Sequence, residues 1–439
     1  MKFKHKYRLK PILAAIVVTT GLFFINTATG SDLDLIPEPE RNAVQTLFHS
    51  MGKPLNDQKI WIEGSSYTWD GYEDGILRIR KPSGKTKKIQ FFKNVVLLNK
   101  DHHVVFVAIN DAPFSDVRLL KPLKYLRSFR FNNTKVNSLA ALPDLPDLEE
   151  IGLDYNEVKR IETLDRYPKL TLLNLKGNGI EKIEGLEKLK ELKYLNLIDT
   201  PVRRLEGLDN QSKLEILTIG NKDAHLRKIE NLENLVQLRV LSLRHHKNIA
   251  KLEGLETLRN LEFLEVTFGK FTKIENLENN TKLKQLWLPS NRIKKIEGLS
   301  TLKELEVVYF NNNLISKIEN LENSNNLRVL QLQGNPITKI ENLETLTELR
   351  ELDLSYTQIR KIEGMSTLKK LITLDLSKTK ISKIENWQGL KSIVWIDFPF
   401  NIVDEPENKA AYEDLVKVMR INGDTKAEDY LTKIWNPFW

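Results

Sequence analysis

The amino-acid sequence predicts an α/β solenoid. About fourteen stacked units of 22 residues each lay one short strand into a parallel sheet on the concave side, and a cap closes each end. Three observations carry this. The 439-residue chain repeats at a fixed period, and its leucines and isoleucines recur at the same positions of every period. There is no cysteine, so disulfides and thiolate metal sites are excluded and apolar stacking alone must hold the array.

The period is plainest from Leu283, where four consecutive blocks read LKQLWLPSNRIKKIEGLSTLKE, LEVVYFNNNLISKIENLENSNN, LRVLQLQGNPITKIENLETLTE and LRELDLSYTQIRKIEGMSTLKK. Apolar residues occupy positions 1, 4, 6, 11, 14, 17 and 20. Further units extend from Leu126 to Leu371, with weaker copies beginning at Val104 and Ile393. Positions 4 and 6 alternate as one face of a strand, and positions 11 to 20 return the chain along the outside. No unit can bury so many apolar groups alone, so neighbours stack them into one core, each Leu or Ile contributing about 1.5–3 kcal/mol against ordering entropy. Asn at position 9 (Asn178, Asn291, Asn313, Asn335) is expected to bond the turning backbone, with Thr200, Thr357 and Thr379 doing so more weakly. By the same reading, Asn279-Asn280-Thr281 is part of a repeat rather than a glycosylation signal.

The remaining elements follow in order. Residues 1–30 combine five Lys/Arg in positions 2–10, an apolar run over 12–25 and a small-residue exit, the pattern of a secretory signal peptide. The apolar run is shorter than the ~20 residues of a membrane span. Residues 31–103 form an N-terminal cap region, with a helix over 39–51 and strand-like runs over 76–81 and 88–98. Trp61, Tyr67, Trp69 and Tyr72 read as packing within that cap. The solenoid covers 104–403. Residues 404–439 form a helical C-terminal cap of one or two helices, over 407–421 and 426–434.

Charge narrows the function classes. The formal net charge is +8, but removing residues 1–30 takes five cations and no acid, leaving +3. Along the chain Lys and Glu alternate in a recurring Lys-Ile-Glu triplet, as at Lys295-Ile296-Glu297, which places a lysine column beside a glutamate column on the outer surface. This predicts a solvated face of weak ion pairs, with no basic stripe for nucleic acid. A Gly-rich phosphate loop, a His-x-x-x-His pair and a nucleophile elbow are all absent, so no enzyme, cofactor or metal site is expected. There is also no wall-sorting motif, and the reading is of an exported, extracellular or else periplasmic, soluble monomer.

Through "NRIKKIEGL", "ISKIENLEN" and "LRELDLSYTQIRKIEG" the units resemble the leucine-rich-repeat regulatory subunit of type-1 protein phosphatase and the 22-residue repeats of bacterial internalins. The segment Ile36-Pro37-Glu38-Pro39-Glu40-Arg41-Asn42-Ala43 resembles the entry of secreted bacterial leucine-rich-repeat proteins. The resemblance implies a leucine-rich-repeat horseshoe that binds a protein partner.

In such a solenoid positions 3, 5, 7 and 8 face the concave surface. They single out Arg244 and His245; Phe263, Glu265, Thr267 and Phe268; Gln285 and Trp287; Val307 and Tyr309. Large aromatics flanked by charge on a rigid sheet are hot-spot material, and packing of the rings across neighbouring strands is the competing reading. The phosphatase-regulator resemblance implies a partner strip of an acid, a Trp and a Tyr in successive units, which Glu265, Trp287 and Tyr309 match. The same aromatics suit a glycan or matrix ligand as the alternative. A second patch comprises Glu351, Asp353, Tyr356, Asp375, Trp395 and Asp397, with Phe400 nearby. The units starting at Leu214 and Leu238, 24 and 23 residues long, should bulge near His225, His245 and His246 as polar rim loops.

Overall fold

The computed structural model describes the strand Gly21–Leu22 and residues 36–50, 59–62, 67–73, 76–80, 86–90, 95–99, 101–223, 226–399 and 402–434. Among them fourteen strands, from Val104–Asn110 to Trp395–Asp397, pair in chain order as one parallel sheet. The chain is a leucine-rich-repeat solenoid. Each strand is set against the next by one unit, as in Gln285↔Val307 and Val307↔Val329. The two long units keep this register, with Ile216↔Val240 and Val240↔Phe263. Their extra residues are absorbed after the strand, not within it.

The strands are short because each unit has only two inward positions before the chain must turn. In the unit beginning at Leu305, that residue, Val308, Phe310, Ile315, Ile318 and Leu321 are all fully buried. Such residues join in one core running from Ile36 to Leu415. The turn is made by a left-handed residue at position 8, as at Ser290 (φ 57°) and Asn312 (φ 56°). A second left-handed residue follows the Lys-Ile-Glu triplet and explains why Gly or Asn always follows it. Gly298 has φ 70°, and Asn320 has φ 58° and donates from Nδ2 to the Ile296 carbonyl at 2.6 Å.

The position-9 asparagines behave as expected. Asn313 Nδ2 donates to the Leu288 carbonyl at 3.0 Å and the Phe310 carbonyl at 2.9 Å, while its Oδ1 accepts from Ile293 N at 3.0 Å. Thr200, Thr357 and Thr379 supply a single bond each, to the carbonyl three residues back, at 2.7 Å. Asn280 is fully buried and bonds two carbonyls of the preceding unit, and Asn279 bonds the Glu256 carbonyl at 3.1 Å.

At the N-terminal end the helix spans Glu38–Ser50 and buries Ala43, Val44, Leu47 and Phe48. Its Glu40 carboxylate, 4% exposed, accepts from His103 Nδ1 at 2.7 Å and Val104 N at 2.6 Å, tying the helix to the first solenoid strand. The predicted run 88–98 divides in two. Thr86–Gln90 pairs antiparallel with Ile76–Arg80, whereas Val95–Leu98 pairs antiparallel with Val104–Asn110 and thereby joins the solenoid sheet. Lys59–Ile62 adds one more strand, so this end of the sheet is continued by backbone pairing. The side chains of Trp61, Tyr67, Trp69 and Tyr72 lie outside the described residues. So does the signal-peptide reading of 1–30, apart from Gly21–Leu22.

At the other end one helix, Pro406–Ile434, spans both expected stretches. Asn408 repeats the ladder chemistry, donating to the Ser382 and Ile402 carbonyls at 2.8 Å and accepting from Ile384 N at 2.8 Å. Leu415 enters the core. Among the described residues no helix is long and apolar enough to cross a membrane.

Candidate protein-binding face

Register turns the repeat positions into columns. Position 3 reads Leu172, Tyr194, Ile216, Val240, Phe263, Gln285 across successive strands, and position 5 continues Glu265, Trp287, Tyr309. Tyr194, Ile216, Val240 and Phe263 form an apolar cluster separate from the main core, with Leu172 and Trp287 packed on it. Only its end, Phe263, was singled out in the sequence. The run of β-branched and aromatic residues at position 3 was the available signal.

The predicted aromatics come together, packed on one another. Phe263 meets Trp287 edge-on at 5.0 Å between centroids, and Trp287 stacks on Tyr309 at 4.7 Å and 12°. Phe263 is 1% exposed, so it supports the strip and presents no surface of its own; this corrects the expectation that it faces solvent. Trp287 and Tyr309 remain half-buried. The indole N–H of Trp287 is buried without an acceptor among the described residues.

Arg244 and Glu265 also meet, and they neutralise each other. Arg244 Nε lies 2.8 Å from Glu265 Oε2, which also accepts from Ser242 Oγ at 2.6 Å. The pair is tucked in, at 14% and 4% side-chain exposure. Gly220 makes room for it, since a Cβ there would sit 2.7 Å from Arg244 Cβ. Glu265 and Gln285, like Phe263, are buried where the sequence suggested contact residues. The sheet's pleat leaves little space between columns once large residues fill adjacent strands.

What stands out from the face lies at position 8. Tyr155, His245, Phe268 and Tyr356 all adopt left-handed backbone, with φ of 55°, 62°, 61° and 55°. Bulky residues pay about 1–3 kcal/mol in that region, which Asn or Gly would avoid. Tyr155, Phe268 and Tyr356 are exposed, at 49%, 41% and 56%. His245 stacks on Phe268 at 4.7 Å, and burial, with the Lys222 and Arg244 charges, lowers its pKa. Tyr155 carries the Lys176 ammonium 5.0 Å from its ring centre. Tyr155 was missed in the sequence, although its column was legible.

His245 and His246 do not share a site. His246 is fully buried in the asparagine ladder, its Nδ1 accepting from Leu226 N at 3.2 Å, while His245 faces Phe268; His225 lies outside the described residues.

The second patch is brought together by register. Asp353, Asp375 and Asp397 stand side by side, with Glu351 and Trp395 in the neighbouring column. Asp353 and Asp375 each accept from the serine two residues on, at 2.6 Å from its hydroxyl. Glu351 accepts from Gln331 Nε2, and burial together with the Asp353 charge pushes its pKa up to about 7. Trp395 is 38% exposed beside them. Phe400 lies outside the described residues.

The lysine and glutamate columns stand as expected, but among the described residues the expected pairing between them is confined to Arg160–Glu184. Opposite charges do pair across units at positions 2 and 22, as in Arg239–Glu262 (2.7 Å) and Lys169–Asp147 (2.6 Å). The Lys-Ile-Glu lysines do not pair with their glutamates. Stacking places all position-13 cations in one column and all position-15 glutamates in another, so charges interleaved along the chain are segregated in space.

Comparison with known proteins agrees with this geometry. Residues 281–323 and 325–369 match the family model described as leucine-rich repeats in two copies. No curated protein sequence matches the chain. Among solved structures it is similar to an internalin, InlF, of Listeria monocytogenes, at 22% identity and TM-score 0.59, over 68% of this chain and 91% of that one. A leucine-rich-repeat protein of Leptospira interrogans is similar at 19% identity and TM-score 0.58, over 73% and 83%. The functional domain of Listeria InlJ, which includes a cysteine ladder, is similar at 16% identity and TM-score 0.50, over 86% and 72%. This chain has no cysteine, and asparagine, threonine and one histidine occupy its ladder. The chain thus has a leucine-rich-repeat solenoid fold, similar to that of bacterial internalins.

Proposed function

We propose that this protein is an exported, non-catalytic recognition protein that holds a protein partner on its concave face. The observation that carries the reading is Trp287. It is large and half-buried, stacks on Tyr309 with Phe263 edge-on against it, and keeps a buried N–H with no acceptor among the described residues, a liability of about 1–3 kcal/mol. The left-handed aromatics His245 and Phe268, on one side of it, add a second local cost at an exposed edge. Large aromatic area held half-open on a rigid sheet, beside charged neighbours, is what a binding surface retains. The glycan alternative is weaker at this strip, because mutual stacking takes one face of the Trp287 ring and one face of the Tyr309 ring.

The test is a crosslinking pull-down from host and envelope extracts, comparing the wild type with Trp287→Ala/Tyr309→Ala. Capture should be lost while the circular dichroism spectrum and melting profile stay close to wild type. Undiminished capture by the double variant overturns the assignment. Export is tested separately, by N-terminal mass determination of protein from the culture medium. An intact residue 1 overturns it.

A further inference from the structure

The column at position 13 is basic in eleven consecutive units, from Arg160 in the unit of Leu148 to Lys383 in the unit of Leu371. Every one of these side chains is exposed. Among the described residues only Arg160 has an ion-pair partner, Glu184 Oε1 at 3.0 Å. Positions 10 and 12, which precede this column in each unit whereas the glutamates follow it, enlarge it. Counting positions 10, 12 and 13 over the eleven units gives nineteen Lys/Arg against two acids, Glu157 and Glu181. Adjacent cations stand about one strand spacing apart, roughly 4.8 Å at the sheet. Such a row repels itself, and the fold offers it no counter-charge on that flank.

The surroundings restrict what can neutralise it. The position-15 glutamates run parallel to the row and close to it, as the Arg160–Glu184 contact shows. A broad anionic plane would meet both columns within one Debye length, about 8 Å at physiological salt, and gain little. A narrow chain can follow the cations alone. Positions 10, 12 and 13 hold no Phe, Tyr or Trp in these units, so there is nothing for nucleobases to stack on or for insertion among lipids. An extended acidic polysaccharide presents one sulfate or carboxylate per sugar along a narrow line and needs no stacking. We infer that this flank binds a linear acidic polysaccharide, with its anions following the position-13 row. The site is separate from the concave face and does not depend on the protein-binding proposal.

The experiment measures binding of heparin to the full chain over a range of salt concentrations. Neutral dextran and a single-stranded oligonucleotide of equal charge serve as comparators. The test variant is Lys273→Gln/Lys295→Gln/Lys317→Gln. The control, Lys188→Gln/Lys303→Gln/Lys369→Gln, removes the same charge from exposed lysines elsewhere in the units. All six side chains are exposed, so folding should be unaffected, and circular dichroism verifies it. The row variant should bind heparin at least about tenfold more weakly, with the slope of log affinity against log salt reduced by about two to three; the control should keep both. Equal losses in both variants would reduce the effect to overall charge and overturn the site. Oligonucleotide binding as tight as heparin binding, or no heparin binding at physiological salt, overturns the polysaccharide assignment.

Discussion

Two ladder asparagines that look equivalent should differ in what they hold together. In Asn178→Ala, three buried backbone groups lose a partner. They are Val158 N–H (3.0 Å to Oδ1), the Leu153 carbonyl (2.6 Å from Nδ2) and the Leu175 carbonyl (3.0 Å from Nδ2). The next unit carries Thr200 at this position, whose hydroxyl bonds only its own strand, so nothing replaces the lost donor. In Asn313→Ala the outcome is milder. The Leu288 carbonyl keeps Asn291 Nδ2 at 3.0 Å and the Phe310 carbonyl keeps Asn335 Nδ2 at 2.9 Å, leaving only Ile293 N–H unpaired. At about 1–3 kcal/mol for each buried unsatisfied group, Asn178→Ala, with three such groups, should cost at least about 3 kcal/mol and Asn313→Ala, with one, about 1–3 kcal/mol. Urea titration ranks the two, and amide hydrogen exchange locates the damage, because a repeat array can open locally. If Asn313→Ala proves as damaging as Asn178→Ala, the shared-donor account of the ladder is wrong.

Other perturbations follow from single sites. Glu351 titrates near 7 in the folded chain and near 4.5 when unfolded, so stability falls as pH rises through that window and the penalty, at most about 3 kcal/mol, is complete above it. Glu351→Gln should therefore stabilise the protein at pH 8 and leave it unchanged at pH 4, and an equal effect at both values contradicts the assignment. His245 has the opposite consequence: its lowered pKa means the unfolded chain binds the proton first, so stability is lost as pH falls below about 6.5, and His245→Gln should flatten that limb of the melting profile. Arg244→Ala strands the buried Glu265 and should cost about 3 kcal/mol, most of it recovered in Arg244→Ala/Glu265→Gln; a double variant as unstable as the single one would show that the pair is not coupled. Glu40→Ala removes the acceptor of Val104 N–H and should lower stability by about 1–3 kcal/mol, with exchange quickening first at the N-terminal edge of the solenoid.

The fold was legible because the period is enforced at buried positions. Leu, Ile and Asn recur at the same positions since any other residue there leaves a cavity or an unpaired backbone group. The same logic made the two long units visible, but it did not reveal that His246 takes over the ladder position in one of them. That depends on where a bulge is absorbed. The candidate face was half legible. Its columns followed from counting, yet Phe263, Glu265 and Gln285 look solvent-facing until neighbouring strands bring Trp287, Arg244 and Val307 against them.

The sequence by itself determined the unit, its number, its inward residues and its ladder, because these are local requirements met afresh in every 22 residues. Only the tertiary structure decided which charges find a partner and which aromatics remain open. Those are relations between residues one whole unit apart, set by strand register. Lysines and glutamates that alternate along the chain become two opposed stripes because parallel stacking superimposes each position on itself.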